Sequence, residues 1–155
     1  MKPTFTLLVL GLGGALLATS AQTARPLSVS VSPSHLTLKT GSHVYVTVRL
    51  SNTSDHEINL GTETFVYGGV DARFQYDCRN ENGISVTREY PVMGSMGDRP
   101  MIILKPGMAH TEKIDIGPAC DLSAPGEYHV QLSRAIPGDQ NDPAKSNEII
   151  VTVTP

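Results

Sequence analysis

Cys120-Asp121-Leu122-Ser123-Ala124-Pro125-Gly126-Glu127-Tyr128-His129-Val130-Gln131-Leu132 is the stretch whose reading decides the fold. A polar turn and a Pro-Gly break lead into a run where Tyr128, Val130 and Leu132 alternate with Glu127, His129 and Gln131. Period two is the pattern of a half-buried strand. In two-sheet sandwiches a Tyr at such a corner ties the preceding turn to the strand through its hydroxyl, and the residue two further on points into the core. Tyr128 and Val130 occupy those places, so Tyr128 is expected to act as a structural corner.

The same period runs through nearly all of the chain after Arg25, and no segment holds helical i, i+3, i+4, i+7 spacing beyond one turn. Leu27, Val29 and Val31 alternate with serines until Pro33 stops the run. Val44, Val46, Val48 and Leu50 form the clearest apolar stripe, with Tyr45, Thr47 and Arg49 facing the other way. Val70, Ala72, Phe74, Tyr76 and Cys78 predict one long strand whose wet face carries Asp71, Arg73, Gln75 and Asp77. Asn82-Gly83 is a hairpin turn pair, which predicts a return strand over Ile84 to Thr87. Tyr90 to Pro100 reads as an exposed loop. Met101 to Leu104 and the Ile114/Ile116 segment read as strands, Ala135 to Ser146 as a loop rich in Pro, Gly, Asp and Asn, and Ile149, Val151 and Val153 as the closing strand. Roughly seven to nine short strands with turn residues between them predict an all-β, two-sheet Greek-key sandwich of immunoglobulin-like type.

Met1 and Lys2 precede an apolar run from Phe5 to Ala18 and then small polar residues, the layout of a secretory signal peptide over 1–24 with cleavage near Ala21 or Ala24. The run is shorter than the ~20 apolar residues of a membrane helix and is interrupted by three glycines, so no stable span is expected after cleavage. What remains, residues 25–155, is the size of one domain with one core. It carries 11 Lys+Arg against 15 Asp+Glu, a net charge of −4 with His neutral. Scattered charge of that sign argues against nucleic acid, which needs clustered Lys and Arg. Cys78 and Cys120 are the two cysteines, and in an oxidising compartment an even count reads as one disulfide.

Leu104-Lys105-Pro106-Gly107, Pro125-Gly126-Glu127-Tyr128, Ser133-Arg134, Ser146-Asn147-Glu148-Ile149 and Val151-Thr152-Val153 resemble the turns and corners of small immunoglobulin-like domains of bacterial envelope proteins. Among named groups the chain is most similar to the BsuPI-type proteinase-inhibitor domain, over about Leu36 to Pro155. The resemblance implies a sandwich without a cofactor, and protease binding as the activity.

No His-Glu-x-x-His, Gly-x-Ser-x-Gly, P-loop or Gly-x-Gly-x-x-Gly occurs, and two cysteines that pair leave no thiol nucleophile, so a non-enzyme is expected. The sharpest alternative is a copper carrier: Met93, Met96, Met101, Met108 and His110 concentrate soft donors suited to Cu(I). The blander reading, which is preferred, has Met101 and Met108 packed against the sheet. Asp139, Gln140, Asn141 and Asp142 could offer oxygens to calcium but lack the spacing of a calcium loop. His35, His43, His56 and His129 are dispersed and read as surface residues. Asn52-Thr53-Ser54 is formally a glycosylation acceptor and is given no functional weight. Recognition through loops remains: the segment after Leu50 and the Ala135–Ser146 loop should meet at one end of the sandwich, with Ile136, Asp139, Asn141 and Asp142 facing a protein partner.

Overall fold

The computed structural model describes residues 25–62, 66–89, 101–136 and 139–155. The expected leader 1–24 and the loop residues Met93 and Met96 lie outside them. The described residues form twelve strands and no helix. One sheet has the order β1-β3-β9, from β1 (Leu27–Ser32), β3 (Tyr45–Asn52) and β9 (Ala109–Asp115), all antiparallel. The second is built on β10 (Gly126–Ile136), with β7 (Gln75–Asn80) on one edge. Its other edge takes β11 (Asp139–Lys145) and then β12 (Ile149–Thr154), and β12 pairs in parallel with β2 (His35–Lys39). Two small ladders complete the chain: β4 (Ile58–Thr62) with β8 (Met101–Leu104), and β5 (Val66–Tyr67) with β6 (Val70–Asp71).

Side-chain alternation explains why these two sheets close on each other. Val46, Val48 and Leu50 of β3 and Val130 and Leu132 of β10 are at most 1% exposed and belong to one continuous core with Leu27, Ile114, Val151 and Val153. Burying a Val or Leu side chain contributes ~1.5–3 kcal/mol, so a one-residue slip of either strand would forfeit several such terms at once. The all-β sandwich expected from the alternation is therefore the fold.

The opening stretch is fixed at both ends. The Tyr128 hydroxyl donates to the Ala124 carbonyl at 2.7 Å. Cys120 forms a disulfide with Cys78 of β7, as the cysteine count predicted, and both residues are 0% exposed. Between them runs the segment 84–88. Val86 N–H donates to Cys78 O at 2.8 Å and Arg88 N–H to Ala119 O at 2.8 Å, so the disulfide crosses a strip laced to both of its ends.

Three local expectations are corrected. The long strand from Val70 is broken by a turn at 72–74, because the Asp71 carboxylate accepts from Arg73 N–H at 3.1 Å and the Asp71 carbonyl from Phe74 N–H, a local bond that Asp makes in competition with the ladder. Gly83 does turn the chain with φ +74°, but the return segment makes only isolated bridges, Arg79 with Ser85 and Thr87 with Cys120. The third is the expected loop Ala135–Ser146. It is mostly β-hairpin: β10 extends to Ile136 and pairs with β11 at Ser133–Lys145, Arg134–Ala144 and Ile136–Asp139. A polar, Pro-containing sequence is carried there by a long partner strand and by an edge position that tolerates proline.

Candidate functional site

At the end of the sandwich where the β10–β11 hairpin emerges, four charged side chains meet around one ring. Arg73 donates through Nε to Asp71 Oδ1 at 2.9 Å and through Nη2 to Asp71 Oδ2 at 2.5 Å, and also to Glu112 Oε2 of β9. Arg134 of β10 donates through Nη1 to the Arg73 carbonyl at 2.6 Å and through Nη2 to the Leu60 carbonyl of β4. Both guanidinium carbons lie against Phe74, 5.7 and 5.5 Å from its centroid. The Asp71 and Arg73 side chains are each 7% exposed.

Burial and the neighbouring Arg73 charge, opposed by Asp71 and Glu112, push the Arg134 pKa down to about 10, which leaves it charged at neutral pH. For Arg73 burial acts to lower the pKa, but hydrogen bonds and charges from Asp71 and Glu112 outweigh it and the value rises. Two cations and two carboxylates cancel, which is what makes the cluster tolerable in a low-dielectric interior. Its mechanical effect is specific. Arg134 joins β4, the turn at 72–74 and the base of the hairpin, so the segment after β3 and the β10–β11 hairpin share one frame.

The hairpin carries the residues expected to face a partner. Asn141 and Asp142 are exposed on β11, while Ile136 is half-buried against the core. Asp139 opposes Ile136 in the ladder. Asp142 pairs with Arg25 at 2.8 Å, holding the start of the described chain against the hairpin beside a cleft of about 50 Å3 lined by Pro26, Leu27, Ile136 and Ala144.

A second concavity, about 370 Å3, lies at the other side of the fold next to Cys120. His43 and Asp115 pair there at 2.6 Å, and the other Asp115 oxygen accepts from Val44 N–H at 3.1 Å and Gly117 N–H at 3.0 Å. Ser42 and Ser123 line the groove, but among the described residues neither hydroxyl is hydrogen-bonded to His43. The pair fastens a corner.

Of the residues considered for copper, Met101 opens β8, Met108 lies in the turn before β9, and His110 pairs opposite the inward Leu50. The expectation that Met101 and Met108 pack against the sheet is corrected: they are 59% and 53% exposed. Met101 is on the outward side of β8, whose alternate residues Ile102 and Leu104 are buried in the core, and Met108 lies in the turn that leads into β9. The amide of Asn52 donates to the carbonyls of His56 and Leu104 at 2.7 and 2.8 Å and the residue is 2% exposed. Its nitrogen is committed to the fold, and the acceptor triplet is structural.

The buried cluster was missed by alternation, which places Asp71 and Arg73 on a wet face. The signal that could have found it is the concentration of charge on core-facing positions of later strands: Glu112 shares a face with Ile114, and Arg134 with Val130 and Leu132.

No family model matches the chain, and no curated protein matches it. Among solved structures it is similar to a chain from a study of T cell specificity and activation by the bacterial superantigen toxic shock syndrome toxin-1, with TM-score 0.37 and 12% identity over 83% of this chain and 99% of that one. It is also similar to a chain of the chaperone–tip adhesion subunit pre-assembly complex of archaic chaperone-usher Csu pili of Acinetobacter baumannii, with TM-score 0.32 and 11% identity over 81% of this chain and 56% of that one.

Proposed function

We propose that the protein is an exported, non-catalytic interaction module that binds a protein partner through the end of the sandwich formed by the β10–β11 hairpin and the β4–β6 segment. The observation that carries this reading is the Arg134 guanidinium, bonded to the carbonyls of both Leu60 and Arg73. A hairpin anchored in this way loses little freedom on docking, and pre-organisation of that kind is how a small surface gains affinity. Export is supported by the leader-like sequence of residues 1–24 and by a fully buried disulfide, a bond that persists in oxidising compartments. Among the described residues no helix is long and apolar enough to cross a membrane. Protease inhibition is the activity that the BsuPI-type resemblance adds.

Site-specific photo-crosslinking in the native host tests the reading. A crosslinker at Asn141, on the exposed hairpin, should give a discrete protein adduct. One at Glu81, in the turn after β7 at the opposite end, should not. Equal labelling from both positions would count against the hairpin as the docking end.

A further inference from the structure

The outer face of the β1-β3-β9 sheet has a composition that neither the fold nor the proposed docking end requires. Register places Ser30 beside Arg49 and Arg49 beside Thr111, and Ser32 beside Thr47 and Thr47 beside Lys113. All six are exposed. Arg49 and Lys113 are thus diagonal neighbours on adjacent strands, with Cβ atoms roughly 7 Å apart, and each is flanked by hydroxyls. Among the described residues neither is paired with a carboxylate. Lys113 is held in place: its Nζ lies 4.5 Å from the centroid of Tyr45, which stacks on His43 at 5.7 Å. The one acid in these rows, Asp115, is taken by His43 and two backbone amides. On the outer face of the other sheet Arg79 and His129 are paired with carboxylates, those of Asp77, Glu127 and Glu148. Residues 25–155 carry a net charge of −4, so two exposed cations without a carboxylate partner are a local inversion of charge.

We infer that this face is a second binding surface, for a polysaccharide that carries carboxylate groups. Arg49 supplies a planar fork that matches a carboxylate, Lys113 a point charge at a second position along the chain, and the Ser and Thr rows the hydrogen bonds that sugar hydroxyls need. A protein partner would require an apolar centre, and the face offers one half-exposed Tyr45 in that role. A nucleic acid would require more cations and interleaved aromatic rings. The inference stands independently of the hairpin reading, since it uses no residue of that end.

Affinity electrophoresis of the disulfide-intact protein through gels containing polygalacturonate, or dextran of matched length, tests it. Retardation by polygalacturonate alone is expected, lost as salt is raised because the contacts are exposed. Arg49→Gln and Lys113→Gln should each weaken it about tenfold, the effect of losing one charge-assisted contact. Thr47→Glu, which sets an acid between the two cations, should abolish it, and Glu127→Gln on the other face should leave it unchanged. No retardation, equal retardation by dextran, unchanged binding in the Arg49, Lys113 and Thr47 variants, or tighter retention by single-stranded DNA than by polygalacturonate would each overturn the assignment.

Discussion

Arg134 and Arg73 are 61 positions apart in the chain, and the guanidinium of the first donates to the backbone carbonyl of the second at 2.6 Å. Two like charges share one buried site because Asp71 and Glu112 neutralise it, and both guanidinium carbons lie close to the Phe74 ring centroid, at 5.7 and 5.5 Å. This contact converts two connections at one end of the sandwich into a single support for the β10–β11 hairpin.

Removing a member of the cluster should therefore be costly, in contrast to a surface pair. Arg73→Met leaves two carboxylates without their cation and is expected to cost about 3–5 kcal/mol. Arg134→Met strands the buried Leu60 carbonyl and the part-buried Arg73 carbonyl, at about 1–3 kcal/mol for the first and less for the second. Arg25→Gln breaks a pair whose side chains are 48% and 62% exposed, and should cost no more than about 1 kcal/mol. Urea unfolding of the three variants, compared at their midpoints, checks the order.

The disulfide closes a loop of 42 residues in sequence separation. On the chain-entropy account such a crosslink stabilises by about 4 kcal/mol, so the Cys78→Ala/Cys120→Ala variant should unfold at much lower denaturant. Free-thiol labelling of oxidised, denatured wild type should give no signal.

His129 is clasped on both ring nitrogens, by Glu148 at 2.8 Å and Glu127 at 3.4 Å. The hydrogen bond to Glu148 raises its pKa above the ordinary 6.5, against a smaller effect of burial, with the charges of Glu148 and Glu127 adding to the rise. A folded pKa above the unfolded one stabilises fully below the unfolded value and is lost as pH climbs through the folded value. The stability difference between wild type and His129→Gln should therefore be full below the ordinary histidine value of about 6.5 and shrink as pH rises above it. A difference that grows as pH rises would contradict the clasp, and because the two glutamate side chains are 49% and 57% exposed, salt should reduce the effect.

Much of this arrangement is legible in the chain. The stripe Val44 to Leu50 and the alternation through Tyr128, Val130 and Leu132 fix which faces are dry, and two cysteines in an oxidising setting leave one pairing. The cluster is not legible in that way. Asp71 and Arg73 continue the period-two pattern that a strand would show, and only a local Asp turn, together with Glu112 and Arg134 arriving from distant strands, turns them inward. Ala135 to Ser146 misleads for a different reason: its polar composition is that of a loop, but its structure is set by the long partner β10. There the Ser146 hydroxyl accepts from Leu132 N–H at 3.0 Å where the strand is interrupted.

The most direct test of the docking end is affinity capture from the native envelope and culture medium with three baits, the wild type, Asn141→Lys/Asp142→Lys and Arg134→Met, each confirmed folded by melting. The expected result is a discrete protein recovered stoichiometrically by the wild type and lost by the variant, with the same loss when the hairpin's support is removed by Arg134→Met under conditions where that variant is folded. Recovery of the same protein in equal amount by all three baits would contradict the account.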